Sequence, residues 1–134
     1  IKIIQRNVNF HNLEKRIHII HDDIQKVKFD KTFHMIVSNP PYIAPEEMEG
    51  LDKNVSFYEP HMALSDKSDG LSFYRFFAKN FHDWLTKEGK ALLEFGGNHQ
   101  SNSLKDIFSN YTYRIVKDFQ NDDRVILLKA KEEV

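Results

Sequence analysis

Ile4 and Val8, with Ile1, fall on one face of a 3.6-residue repeat, so residues 1–10 predict a helix. No capping residue precedes it, and the chain begins without Met, so its natural start is expected further upstream. RIHIIHDDI, residues 16–24, is a short β-rich run closed by two acids. FHMIVSN, residues 33–39, predicts a second strand, apolar without alternation as strands covered on both faces tend to be. Residues 44–67 carry Pro, Gly and charge without a period, and predict a long loop holding one short helix. A loop of that length in a compact domain is usually functional.

Asp69 or Ser68 is placed to cap the next helix, along which Leu71, Tyr74, Phe77, Phe81 and Trp84 recur at helical spacing until Gly89. KALLEFG, residues 90–96, predicts a third buried strand, followed by Gly97 and a helix around Leu104, Ile107 and Phe108. YTYRIVKDF and DRVILLKAK, separated by QND, predict a closing antiparallel hairpin. Strands alternating with helices and then a hairpin indicate an open α/β sheet, doubly wound, with Val37 and Leu93 on neighbouring parallel central strands.

Composition narrows this picture only a little. The chain has 134 residues, 40% of them hydrophobic, which suits one domain with a real core. A net charge of −1 gives no basic footprint for a dedicated nucleic-acid binder. Cys is absent, which excludes disulfides and thiolate chemistry and fits a reducing compartment, the cytoplasm or a mitochondrion. No apolar run approaches the roughly 20 residues of a membrane span. The seven His, at 11, 18, 21, 34, 61, 82 and 99, show no metal-ligand spacing, so no metal is expected.

Chemistry concentrates at Asn39-Pro40-Pro41-Tyr42, directly after the FHMIV run. In open α/β sheets the ligand sits beyond the carboxyl ends of the strands, where this tetrapeptide falls. Two prolines cannot continue a hydrogen-bonded ladder, and each pushes the residue before it toward extended geometry. The chain is thereby held stiff. An Asn carboxamide oxygen and a proline carbonyl are both acceptors, able to hold an NH₂ group by its two hydrogens. The Tyr42 ring offers a flat face for a planar amide or base. Such a clamp suits N-methylation, where a delocalised nitrogen lone pair must be turned toward an activated methyl. Positioning of this kind lowers barriers by several kcal/mol, up to about 7–11 in intramolecular models. The plain alternative for Asn-Pro-Pro-Tyr is an ordinary turn.

With these residues in view the sequence resembles the class I S-adenosylmethionine-dependent methyltransferases, and within them the glutamine methyltransferases of peptide-chain release factors. The resemblance rests on FHMIVSNPPYI, on YEPHMALSDKSDGLSFYR (residues 58–75), on LLEFGGNHQ and on DFQNDDRVI, in that order and over nearly the whole chain. It implies a Rossmann-like doubly wound sheet, mostly parallel with a C-terminal antiparallel hairpin, of which residues 1–134 are the C-terminal part of one catalytic domain and the N-terminal strands are missing. It implies S-adenosylmethionine as cofactor, and as substrate the glutamine amide of the Gly-Gly-Gln motif in a release factor. Asn39, Pro40, Pro41 and Tyr42 would bind that amide, with Asn39, Pro40 and Tyr42 catalytic and Asn39 also near the methyl group. Asp23, an acid after a strand, and Ile24 would line the adenine pocket, and Glu59 would order the loop over the site.

The family's Gly-rich cofactor loop is absent: the glycines at 50, 70, 89, 96 and 97 form no GxGxG pattern. The acid that holds the ribose is absent as well, so the fragment alone is expected to bind cofactor weakly. Two other functions use the same sequence: a nucleic-acid amino-group methyltransferase, and a non-catalytic methyltransferase-like binding domain.

Overall fold

A computed structural model of the chain describes residues 1–50 and 60–131. In chain order it has α1 (Lys2–Phe10), β1 (Phe33–Ser38), a 3-10 helix (Pro45–Gly50), α2 (His61–Leu64), α3 (Ser72–Trp84), β2 (Leu85–Glu94), α4 (Ser101–Ile107), β3 (Tyr111–Lys117) and β4 (Asp123–Ala130). The strands form one four-stranded sheet in the order β1-β2-β4-β3. β1 runs parallel to β2, with Val37 opposite Leu92 and Ser38 opposite Leu93. β4 is antiparallel to both β2 and β3. The α/β class is as expected. Among the described residues the sheet is mixed, one parallel pairing followed by the antiparallel C-terminal hairpin, as a partial Rossmann-like sheet would be.

The parallel pair needs a crossover, and α3 lies within it. Tyr74, Phe77, Phe81 and Trp84 recur at helical spacing on α3, and all four are buried. They join Ala91, Leu93 and Phe95 from β2 and its continuation, and Ile126 and Leu128 of β4, in one hydrophobic cluster. Register explains why: Ala91 faces Leu128 and Leu93 faces Ile126, so these four side chains share one face of the sheet. Leu104 of α4 and Phe108 close the cluster, with the Phe81 ring stacked between those of Phe77 (5.2 Å) and Phe108 (6.4 Å). Each such side chain contributes roughly 1.5–3 kcal/mol on burial.

Three local expectations are corrected. Residues 16–24 form no strand. Ile17 and Ile20 are exposed, and the two acids instead fold the chain into a turn, Asp23 donating its amide to Asp22 and accepting that of Gln25. A strand needs a neighbour, and among the described residues none pairs with this run. Secondly, β1 lies at the edge of the sheet among the described residues, with Met35 59% and Val37 72% exposed. Thirdly, α3 starts after Leu71 with no side-chain cap from that residue, and it ends at Trp84 rather than at Gly89. Asp66, not Asp69 or Ser68, receives the Ser72 amide and hydroxyl at the first turn, at 2.9 and 2.6 Å. Gly89 lies inside β2, where an added Cβ would meet the Phe33 and Thr86 carbonyls at 2.9 Å. It serves the irregularity by which Phe33 pairs with Leu85 but Met35 with Lys90.

Candidate active site

β1 stops at Ser38, and the Asn39–Tyr42 stretch leaves its carboxyl end. Because β1 and β2 are parallel with Ser38 opposite Leu93, this stretch emerges beside Glu94, the last residue of β2. Pro40 is buried, Pro41 and Tyr42 are half-buried, and Asn39 is exposed. The two prolines thus end the ladder and turn the chain over the neighbouring strand end.

Tyr42 is held at both of its polar groups. Its phenol donates to Glu94 Oε1 at 3.5 Å, at the outer limit of a hydrogen bond. Its carbonyl accepts from Gln100 Nε2 at 2.9 Å, and Gln100 Oε1 in turn accepts the Gly96 amide at 2.9 Å. Burial first, and then the Glu94 charge, push the Tyr42 phenol above its ordinary pKa, so it stays neutral at neutral pH. The next residue, Ile43, donates its amide to Leu64 O at 3.0 Å and bridges to Ser65. The clamp is therefore braced from the turn after β2 on one side and from the end of α2 on the other.

Two glycines make the close approach possible. Gly70 has φ +74°, and a Cβ there would run into the Tyr42 carbonyl and stand 2.9 Å from Gln100 Nε2. A Cβ at Gly96 would stand 3.1 Å from Gln100 Oε1 and 3.2 Å from the Tyr42 ring.

Behind Tyr42 the Tyr74 hydroxyl donates to the Glu94 carbonyl at 2.6 Å. Arg124 of β4 donates to the Phe95 carbonyl at 3.2 Å and pairs with Asp118 at 3.1 Å. Asn98 bonds Asp122 and the Asp123 amide, and Ser101 bonds Asp123 at 2.6 Å. The NDDR segment of the hairpin thus fastens the turn that carries Gly96 and Gln100.

Among the described residues neither the Asn39 carboxamide nor the Pro40 carbonyl takes a hydrogen-bond partner. The Tyr42 carbonyl already accepts the Gln100 bond. Two adjacent acceptors are thus left open at a strand end, beside a fixed aromatic ring. That arrangement can receive the two hydrogens of a planar NH₂ group.

Ile24 lines an apolar groove of about 370 Å³ that also takes in Phe33, Ile36 and Ser38, the residue before Asn39. Asp23 does not line it. Its exposed carboxylate accepts the Gln25 amide at 3.0 Å and pairs with Lys26 at 3.2 Å, and chiefly the Gln25 amide holds its pKa below the ordinary value. Glu59 lies outside the described residues. Glu94, Gln100 and Gly70 are the site residues that sequence reasoning missed. The available signal was position, since polar residues right after the ALLEF strand must meet whatever leaves its parallel neighbour. Among the described residues no group of three or more His, Asp or Glu is placed to hold a metal. No helix among them is long and apolar enough to cross a membrane.

No protein-family model matches the chain. A protein named bifunctional methyltransferase from Rickettsia typhi is 41% identical over 133 residues, covering 94% of this chain and 25% of that protein. A release factor glutamine methyltransferase from Fusobacterium nucleatum is 41% identical over 107 residues, covering 76% of this chain and 30% of that protein. Another so named, from Thermodesulfovibrio yellowstonii, is 31% identical over 137 residues, covering all of this chain and 48% of that protein. The chain thus spans between a quarter and about half the length of these relatives. Among solved structures, a release-factor-specific protein-(glutamine-N5) methyltransferase from Alicyclobacillus acidocaldarius is similar with a TM-score of 0.49 and 29% identity, over 76% of this chain and 52% of that one. Over nearly its whole length the chain is therefore similar to part of proteins named bifunctional methyltransferase and release factor glutamine methyltransferase.

Proposed function

We propose that residues 1–134 are the C-terminal part of the catalytic domain of an S-adenosylmethionine-dependent methyltransferase that modifies the glutamine side-chain amide of peptide-chain release factors. The observation that carries this reading is the pair of open acceptors, Asn39 Oδ1 and the Pro40 carbonyl, beside a Tyr42 ring pinned by Gln100 and Glu94. The relatives' names supply the substrate class.

A primary carboxamide fits the clamp. One N–H donates to Asn39 and the other to Pro40, and the amide plane lies on the Tyr42 ring. Held by both hydrogens, the nitrogen gives up part of its conjugation with the carbonyl and turns its lone pair outward. When bound, S-adenosylmethionine supplies a methyl group on a positive sulfur. That methyl would pass to the nitrogen held by Asn39 and Pro40, which would then give up one proton to solvent. No strong base is required, and Tyr42, with its raised pKa, does not act as one.

The residues present suit one portion of the cofactor. Ile24 and Ile36 give apolar walls for the adenine ring, and Ser38 brings that groove to the clamp. Asp23, one residue before Ile24, would stand at the adenine edge of this arrangement. Glu59 would order the loop over the substrate.

The test incubates the full-length protein with methyl-labelled S-adenosylmethionine and, in parallel, a release factor or nucleic acid. Label on the release-factor glutamine is the expected result. Label on nucleic acid alone replaces this function with an amino-group nucleic-acid methyltransferase, and transfer to neither favours a non-catalytic binding domain.

A further inference from the structure

Gln100 is only 5% exposed, and the proposed chemistry gives it no direct task. A buried carboxamide is unfavourable unless it is hydrogen-bonded, and both of its ends are. The Nε2 group reaches the Tyr42 carbonyl, 58 residues away in sequence, and the Oε1 atom takes the Gly96 amide. Gly70 and Gly96 leave room for the carboxamide and for Tyr42 at the points where a Cβ would crowd them.

We infer that Gln100 is a positioning residue for methyl transfer, acting through the Tyr42 carbonyl. This rests on the function proposed above. By occupying that carbonyl, Gln100 fixes the peptide plane after Tyr42 and with it the setting of the aromatic ring. It also removes a competitor. The motif carries three acceptors in succession, the Asn39 carboxamide and the Pro40 and Tyr42 carbonyls, but an NH₂ group has only two hydrogens. With the Tyr42 carbonyl turned toward Gln100 and packed against Gly70, the substrate amide meets Asn39 and Pro40 and is held in one orientation. Without it, the amide can be held one acceptor out of place, bound but misaligned.

The test compares Gln100→Leu and Gln100→Glu with wild type in the full-length protein. For Gln100→Leu the kcat for release-factor methylation should fall about 10- to 100-fold, the size of effect that a misplacement near 1 Å produces. Its KM should change little, because the acceptors remain. Gln100→Glu has nearly the same shape. Ionised, it has no hydrogen to give the Tyr42 carbonyl. Protonated, it can donate there and still accept the Gly96 amide. Burial raises the pKa of that carboxyl, so kcat of the Glu variant relative to wild type should recover as pH is lowered. The Leu variant should show no such recovery. The other titratable groups near this pocket, Tyr42, Glu94, His99 and Arg124, are common to all three proteins and cancel in the ratio.

Hydrogen exchange of the peptide carrying residues 42–44 needs no activity and should follow the same pH pattern relative to wild type. A Glu variant whose kcat and exchange ratios both ignore pH overturns the inference, as does a folded Leu variant with wild-type kcat. Wild-type protein that moves no methyl to release factor overturns the proposed function instead, and the exchange ratio still decides the role of Gln100.

Discussion

Replacing Asn39 by Ala separates a clamp from a turn. Asn39 is exposed and has no hydrogen-bond partner among the described residues, so its truncation removes no hydrogen bond among them and opens no buried cavity. A surface change of that kind moves stability by no more than about 0.5 kcal/mol. Its effect on rate should be far larger. The carboxamide supplies one of the two hydrogen bonds that orient the substrate nitrogen. Losing one such preorganised bond, by analogy with a lost oxyanion donor, costs about 2.7–4 kcal/mol in the transition state, or roughly a hundred- to a thousand-fold. The measurement pairs single-turnover transfer of labelled methyl to release factor with thermal melts of the same full-length preparations. Tyr42→Phe is the companion variant. It keeps the ring and the Gln100 bond, loses only the long contact to Glu94, and should be much the milder of the two. An Asn39→Ala protein that keeps full activity but melts early would make the tetrapeptide a structural turn and refute this reasoning.

Gly70→Ala should both destabilise the protein and slow transfer, because φ +74° strains any L side chain by about 1–2 kcal/mol and the new Cβ would drive against Tyr42 and Gln100; urea denaturation and the methylation assay read the two effects. Leu93→Ala, at a fully buried position near the carboxyl end of β2, should cost about 2–5 kcal/mol in urea unfolding, and a loss near zero would contradict the core placed between α3 and the sheet. Asp69 is held down to about 2, chiefly by the Arg75 guanidinium, against an ordinary 3.8. Its folded pKa is the lower one, so its contribution is present above pH 3.8 and is lost as pH falls through about 2; Asp69→Asn should flatten the melting curve in that window, by a small amount since the pair is half exposed.

Much of the fold was legible where several residues repeat one message. The α3 stripe announces its buried face at helical spacing, and the β3–β4 hairpin is two β-rich runs around a polar turn. The β1 run was legible as a strand, but its place at the edge of the described sheet was not. An apolar run states what the side chains tolerate, whereas cover on each face depends on which elements arrive there. Here α3 and α4 build the core on the face that holds Ile36, Ala91 and Leu93, and the opposite face leaves Met35 and Val37 open. The IHII run met the same limit more severely, since a strand is a pairing and its sequence names no partner. The end of α3 was missed for a different reason. Leu85 prolongs the apolar pattern beyond Trp84, so periodicity ran on into a strand that had already begun.

The site divides in the same way. Asn-Pro-Pro-Tyr could be read because proline chemistry is local: two missing amide hydrogens end a strand whatever lies around it. What makes it a clamp is not local. Gln100 and Glu94 reach Tyr42 across 58 and 52 residues of sequence, and neither residue type signals that reach. Their partner is set by a single register, Ser38 opposite Leu93, which aligns the two carboxyl ends. A one-residue slip would turn every β2 side chain to the other face and carry Leu93 out of the core along with the clamp. The buried face of β2 and the setting of Tyr42 are therefore fixed together. The glycines carry the complementary information. Gly70 and Gly96 look like ordinary turn residues in sequence, yet what each leaves out is the Cβ that would crowd Tyr42 and Gln100. In this chain the clamp's acceptors are written in the motif, and its rigidity is written in small residues and one buried carboxamide far from it.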